Sequence, residues 1–129
     1  MRITIEAAAP IQKGDLVTAG GLPAVSPSDN VAGVAIADYA TGEPADLETS
    51  GKVRVRVGAG GAGLVVGQVV AASAADGDGS VEFVDPGTVI GGLALVGDSA
   101  FFAGVSLETV AAGGEGYISF GPYTGTRQV

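Results

Sequence analysis

The sequence predicts an all-β domain, and two observations support this prediction. Valine and isoleucine occur in short clusters bounded by Gly, Pro, Asp and Ser, which is typical of short strands joined by turns. The segment KVRVRV at 52–57 alternates strictly, so its valines face one side and its arginines the other. With 23 Gly in 129 residues, helices have little room. We therefore expect a small β-barrel or β-sandwich with Gly-rich turns and little helix.

The expected elements follow in chain order. Turn signals stand at GG (20–21), SPSDN (26–30), SG (50–51), DGDG (76–79) and DPG (85–87). The acidic stretch GEPADLETSG (42–51) is interpreted as a solvated loop entering the next strand. Eight strands are predicted: Arg2 to Glu6, Asp15 to Thr18, Val31 to Ala37, Lys52 to Val57, Gln68 to Ser73, Val81 to Val84, Phe101 to Leu107 and Gly116 to Phe120.

Composition excludes several classes of function. The chain has no Cys, His or Trp, which removes disulfides, thiolate chemistry and imidazole ligands. Its net charge of −8 makes nucleic acid an unfavourable partner, because such binding works through clustered Lys and Arg. The N-terminus alternates like a strand rather than a secretory signal, and no apolar run is long enough to span a membrane. We expect a soluble protein made in a cytoplasm.

The stretch VGAGGAG matches the dinucleotide pattern G-x-G-x-x-G at Gly58, Gly60 and Gly63. A dinucleotide site needs a helix after the glycines, because the helix N-terminus holds the pyrophosphate. Here LVVGQVVAAS follows, which is poor helix material. We interpret the glycines as a flexible connection between two halves of the domain.

Other chemical signals are weak. Asp76, Asp78 and Ser80 have the first spacings of a calcium loop, but Val81 stands where that loop needs glycine, so a plain turn is expected. No carboxylate pair is singled out among fourteen acids, and Ser or Thr nucleophiles lack a His base. We predict no enzymatic activity, no cofactor and no metal.

An internal repeat is predicted within one domain that spans residues 1–129. KGDLVTAG, which begins at Lys13, resembles VGQVVAAS, which begins at Val66, and GVAIAD at 33–38 resembles GVSLET at 104–109. We divide the chain into an N-terminal arm of about 1–9 and two halves, 11–57 and 64–120. The unequal offsets require an insertion of about eighteen residues in the second half, placed around Val84 to Phe101; coincidence in a sequence rich in Gly, Ala and Val remains the alternative.

Some side chains are candidates for contacts with a partner or with another subunit. Arg54 and Arg56 share one face of a strand and suit an anion or a carboxylate, although such a pair more often only keeps a strand face wet. Phe101 and Phe102 are adjacent, so one of them faces outwards if the segment is a strand. Lys13 and Lys52 lie beside turns, where lysines are usually solvated.

The order of these segments resembles a known family. Seven segments follow one another across about residues 3–121. They are an opening β segment, IQKGDLVT, a GVAIAD-like strand, a GE turn, a strand of Val and Arg, GQVV and the ending AGVSLETVAAGGEGYISF. This order is similar to the capsid decoration, or cement, proteins of tailed bacteriophages. The insertion around Val84 to Phe101 departs from that pattern.

The resemblance implies a non-enzymatic β domain of the β-clip or β-tulip type. It would bind the major capsid protein on the outer surface of an assembled head, as homotrimers, and stabilise the head, which places it in the virion after synthesis in the host cytoplasm. Several weak contacts made together suffice for such binding. An exposed N-terminal strand with Arg2, Ile3 and Ile5 is the candidate anchor, through addition to a neighbour's sheet edge. Alternatively, Ile3 and Ile5 complete the protein's own sheet.

Two other functions stay open at this point. IQKGDLVTAGGLP also resembles small β-clip domains that bind carbohydrate or assist an enzyme. That function favours an aromatic platform, and the chain has only three Tyr and four Phe. The third alternative is a structural subunit of another phage-like particle.

Overall fold

The computed structural model describes residues 2–91 and 99–126, and the regular secondary structure of this part of the chain is almost entirely β. The prediction of a small all-β domain with little helix is confirmed. Within the described ranges there are nine strands and one helix: β1 (Arg2–Glu6), β2 (Leu16–Thr18), β3 (Val31–Ala35), β4 (Pro44–Glu48), β5 (Gly51–Arg56), β6 (Val69–Ala72), β7 (Val81–Phe83), α1 (Pro86–Gly91), β8 (Ser99–Ser106) and β9 (Glu115–Thr126).

The strands form two antiparallel sheets. The N-terminal sheet has the order β1-β4-β3-β2, and the C-terminal sheet has the order β5-β9-β8-β6-β7. A buried cluster contains Leu16 and Val34 from the first sheet together with Val53 and Ile118 from the second. This shared core supports the proposal that the chain folds as one domain.

Strand β5 shows why the alternating sequence predicted its structure so well. Val53 and Val55 are 5% and 0% exposed and lie in the core, whereas Lys52 and Arg54 point to solvent. The period of two in the sequence matches the pleat of the strand, so one face is apolar and the other is charged. β5 lies at the edge of its sheet, with β9 on one side only.

The largest error in the sequence analysis concerns residues 42–51. This stretch was expected to be a solvated loop, but Pro44–Glu48 is strand β4, which lies between β1 and β3. Ala45 and Leu47 are both 0% exposed, while Asp46 and Glu48 point the other way. Proline is tolerated as the first residue of a strand, and the two acids occupy the solvated face, so polarity hid a strand with only two core residues.

The two sheets are built with matching hydrogen bonds. In the first half, the Gly14 N–H donates to the Ala35 carbonyl and the Ala35 N–H donates to the Asp15 carbonyl. In the second half, Gly67, Ser106 and Gln68 form the corresponding pair of bonds. The bridges Ile11–Tyr39 and Leu64–Val110 also correspond, as do the bulges that follow Val17 in β2 and Val70 in β6. These bonds support our proposal that the chain consists of two related halves.

The insertion predicted around Val84 to Phe101 lies partly outside the described residues, since 92–98 are not described. The described part includes α1 and the start of β8. Val89 and Ile90 of α1 pack against a separate buried cluster that contains Val84 and Phe102. The helix therefore covers one face of the C-terminal sheet.

Candidate functional site

Five basic side chains lie on the same side of this acidic protein. Four of them line a groove of about 360 Å³: Arg2, Lys13, Lys52 and Arg54. Glu48, Val53 and residues 34–36 complete its lining. We call this the basic groove. Arg56 lines the adjacent cavity, which shares Lys13 and Arg54 with it. These five are all the Lys and Arg residues in the part of the chain that the structure describes.

The basic groove contains cations that are only loosely held by the protein. The Arg54 guanidinium lies 3.5 Å from a Glu115 carboxylate oxygen, and both side chains are almost half exposed. The Lys52 ammonium lies 4.6 Å from the centre of the Tyr117 ring, a cation–π distance. Among the described residues, the Lys13 and Lys52 side chains form no ion pair. Sequence analysis treated both lysines as simply solvated and missed that the fold brings them together.

Arg56, a predicted contact residue, has a different environment from Arg54. Its guanidinium forms an ion pair with Asp15 and another with Asp78, at 3.1 Å in the second case. Asp15 is 2% exposed, and it also accepts a hydrogen bond of 2.8 Å from the Gln12 N–H. Arg56 thus connects β5 to the turns that contain Asp15 and Asp78. Its first role is to hold the fold together.

The two acids that contact Arg56 have shifted pKa values. Burial raises the pKa of Asp15, and the Gln12 N–H and the Arg56 guanidinium offset only part of this rise. Burial alone would also raise the pKa of Asp78, but hydrogen bonds from Ser80 and the charge of Arg56 lower it overall. Asp15 is therefore the group that depends most on having a nearby cation.

The N-terminal arm is part of the protein's own sheet. Ile3 and Ile5 of β1 are half-buried and pack against a core cluster, as the alternative interpretation of this segment expected. Arg2 forms an ion pair with Glu48, and the Thr4 hydroxyl donates a 2.7 Å hydrogen bond to Asp46. One edge of β1 pairs with β4, and the strand lies at the end of its sheet. Deleting this strand would remove side chains that pack against the core.

The adjacent phenylalanines face opposite sides of β8, as the strand geometry predicts. Phe102 is 1% exposed and lies in the cluster beneath α1. Phe101 is half-buried and packs against the main core cluster. Phe102 therefore contributes packing energy, and only Phe101 retains partial access to solvent.

Sequence reasoning missed a group of exposed apolar residues beside β6 and β8. Val66 is 60% exposed in the turn before β6, and Val105 and Leu107 are 37% and 43% exposed. Val105 and Leu107 lie two residues apart and so share a face. The spacing of these two residues predicted a strand, but it did not indicate that the face they share is exposed to solvent.

The glycine-rich segment lacks the following helix that a dinucleotide site needs. β6, rather than a helix, follows Gly63, as predicted. The Gly60 N–H donates to the Asp76 carboxylate, which also accepts from the Ser73 hydroxyl at 2.7 Å. Asp76 is thus occupied within the turn. Among the described residues there is no group of three or more acids placed to hold a metal ion.

Two further features bear on the alternatives. A cavity of about 680 Å³ lies near Leu22 and Val25, and no aromatic side chain belongs to its lining. The cavity therefore lacks the stacking surface that a carbohydrate site favours.

In the described ranges, no helix is long and apolar enough to cross a membrane.

Together, these features define a small β domain of two antiparallel sheets with a basic groove on an otherwise acidic chain. The fold is similar to a solved structure described as head fiber gp8.5 N base in bacteriophage phi29. The two share 17% sequence identity with a TM-score of 0.60, over 94% of this chain and 93% of the other. No protein-family model matches the sequence, and no curated protein matches it.

Proposed function

We propose that this protein is a non-enzymatic structural component of a phage head and binds the outer surface of the assembled shell. The observation that supports this most is the likeness to the phi29 head fiber base, because it spans nearly the whole of both chains. The order of sequence segments, which resembles that of decoration proteins, points to the same class independently of the structure.

The physical properties of the chain fit a decoration, or cement, role. The charge of −8 disfavours contact with packaged DNA and suits an outer face. We propose that the partner is the major capsid protein and that the chain acts as a homotrimer, because several weak contacts made together bind far more tightly than one. In this role the protein would strengthen the head against internal pressure.

Quantitative mass spectrometry of purified particles tests the proposal, together with antibody labelling to locate the chain. We expect hundreds of copies per particle and labelling over the head. Labelling confined to a tail would favour the alternative of another particle subunit. Absence from every particle fraction would refute the proposal.

A reconstitution experiment tests the partner. Heads from a phage that lacks this gene are mixed with the purified protein, sedimented and then heated. We expect the protein to co-sediment with expanded heads and to raise the temperature at which they break. Heads that bind none of the added protein would exclude the shell as the partner.

The mass of the free protein tests the trimer. Light scattering after size exclusion should give three times the chain mass of 12.5 kDa, at least at high concentration. A single-chain mass that does not change with concentration would show that the protein is a monomer before it reaches the shell.

A further inference from the structure

We propose that the basic groove is a docking site for an extended acidic segment of a partner protein, which pairs with the open edge of β5. This inference goes beyond the proposed function and does not depend on it. It combines three observations: an unpaired strand edge, a cluster of cations and an apolar floor. Each alone is common on protein surfaces, but here they meet in one groove.

The first observation is the direction of the backbone groups of β5. The Val57 N–H donates to the Gly114 carbonyl, so the N–H and C=O groups of every second residue before it in β5 also point towards β9. Lys52 and Arg54 are the residues between these, and their N–H and C=O groups therefore point away from β9. The next group in this series, the Arg56 N–H, donates to the Gly14 carbonyl at 3.2 Å. Among residues 2–91 and 99–126, the edge is thus closed at Arg56, and no other strand pairs with it along Lys52 and Arg54.

The second observation is the charge around that open edge. Four cations and one carboxylate line the groove, on a chain whose net charge is −8. The carboxylate, Glu48, already forms an ion pair with Arg2. Lys13 and Lys52 remain for a ligand, and Arg54 is held only by its exposed 3.5 Å ion pair with Glu115. An added strand with carboxylates would therefore meet favourable charges along its length.

The third observation is the floor of the groove. Val34, Ala35 and Val53 are each at most 5% exposed, and Ile36 is half-buried. In a strand that pairs with β5, side chains alternate between the two faces. A segment that alternates acidic and small apolar residues would place one set over this floor and the other set among the cations. This combination of backbone pairing and alternating side chains is β-strand addition.

The same cations argue against two other occupants. Positive side chains on an edge oppose pairing between two copies of that edge, because like charges would lie opposite each other. A nucleic acid would need a broader basic surface than one groove on an acidic protein. The favoured occupant is an acidic protein segment.

NMR on the isotope-labelled protein tests this inference with synthetic peptides. The probe is a capped pentapeptide in which glutamate and valine alternate, and the control peptide has lysine in place of glutamate. At about 1 mM peptide, a Kd in the same range half-fills the site. We expect the acidic peptide to shift the amide signals of Lys52 and Arg54 and the lysine peptide to leave them unchanged. Salt at about 1 M, where the Debye length is about 3 Å, should remove most of the effect.

Two further controls separate strand pairing from simple charge attraction. Acidic peptides methylated at the backbone nitrogen of alternate residues block one edge at a time, and we expect one of the two versions to lose binding. The Lys52→Gln variant should bind the acidic peptide about twofold to fivefold more weakly. Gln68→Glu changes the net charge equally, far from the groove in sequence, and should leave binding unchanged.

Three results with the peptides would overturn the inference: no shift at that concentration, shifts centred on other residues, or equal binding of both methylated peptides. Equal binding of a short single-stranded oligonucleotide would also overturn it, because the groove would then be a general anion patch. None of these results bears on whether the protein sits on a phage head, which particle mass spectrometry decides separately.

Discussion

Replacing Arg56 with alanine should destabilise the protein far more than the same change at Arg54. Arg56→Ala leaves Asp15, which is 2% exposed, as a buried carboxylate without its cation. Breaking a buried pair in this way costs about 3–5 kcal/mol. Because the Arg56 side chain is 23% exposed, water offsets part of the loss, and we expect about 2–4 kcal/mol.

Urea unfolding followed by circular dichroism measures this change. With a slope of about 2 kcal/mol per M, the midpoint should fall by roughly 1–2 M. Arg54→Ala is the matched control, since its pair with Glu115 is 3.5 Å long and exposed. That variant should lose at most about 1 kcal/mol. Equal losses for the two variants would refute the view that Arg56 holds the fold while Arg54 faces a partner.

The pH dependence gives a second check on Arg56. Removing the guanidinium lets the pKa of Asp15 rise further, so the folded variant takes up a proton more readily than the unfolded chain. In that window, lowering the pH stabilises the folded variant relative to its value at neutral pH. Asp78, whose pKa is lowered partly by Arg56, acts in the same direction, because its stabilising effect in the native protein is lost in acid. The difference between native protein and variant should therefore shrink as the pH falls through the pKa of Asp15, which lies above the usual 3.8, and shrink further through that of Asp78, which lies below it in the native protein; a constant difference would show that Asp15 does not carry the effect.

Four further substitutions test the packing. Gly104→Ala should prevent normal pairing of β8 and β9, because φ at Gly104 is +152° and a Cβ would lie 1.9 Å from the Ser119 carbonyl oxygen. Gly42→Ala is the control, since φ is +88° there and the space around it is open. It should lower the free energy of unfolding in urea by only about 1–2 kcal/mol. Phe102→Ala should lower the free energy of unfolding by about 3–5 kcal/mol, and a loss below about 1 kcal/mol would contradict its place in the core. Val66→Ser should change the free energy of unfolding by less than about 0.5 kcal/mol, since this side chain is 60% exposed. A larger drop would mean that the Val66 side chain is packed against its neighbours.

Most of the fold was accessible from local sequence patterns. Alternation predicted β5, and clusters of Val and Ile between turn residues located seven other strands, although β9 extends six residues beyond its predicted end at Phe120. β4 was missed because its core face carries only two residues, the small Ala45 and Leu47, and its solvated face carries two acids. Leu47 was therefore the only large apolar residue that indicated a strand. The pairing order was beyond local patterns, because β1 pairs with β4 across about forty residues of chain.

The candidate contact residues were harder to predict than the strands. Arg54 and Arg56 look alike in the sequence, and only the position of the Asp15 turn separates an exposed cation from a buried ion pair. The basic groove also arises from long-range folding, since it brings Arg2 and Lys13 next to Lys52. Such a surface has no signature in the spacing of its members.

The matching turns of the two halves let the chain serve as its own control. At the position of Asp15, the second half has Gln68, whose neutral side chain accepts the Val65 N–H at 2.8 Å just as Asp15 accepts that of Gln12. The turn geometry therefore requires an acceptor but no charge, and the negative charge of Asp15 serves Arg56 instead. Acid neutralises the first of these acceptors and leaves the second untouched. An acidic medium would thus change the charge of only one of the two similar turns.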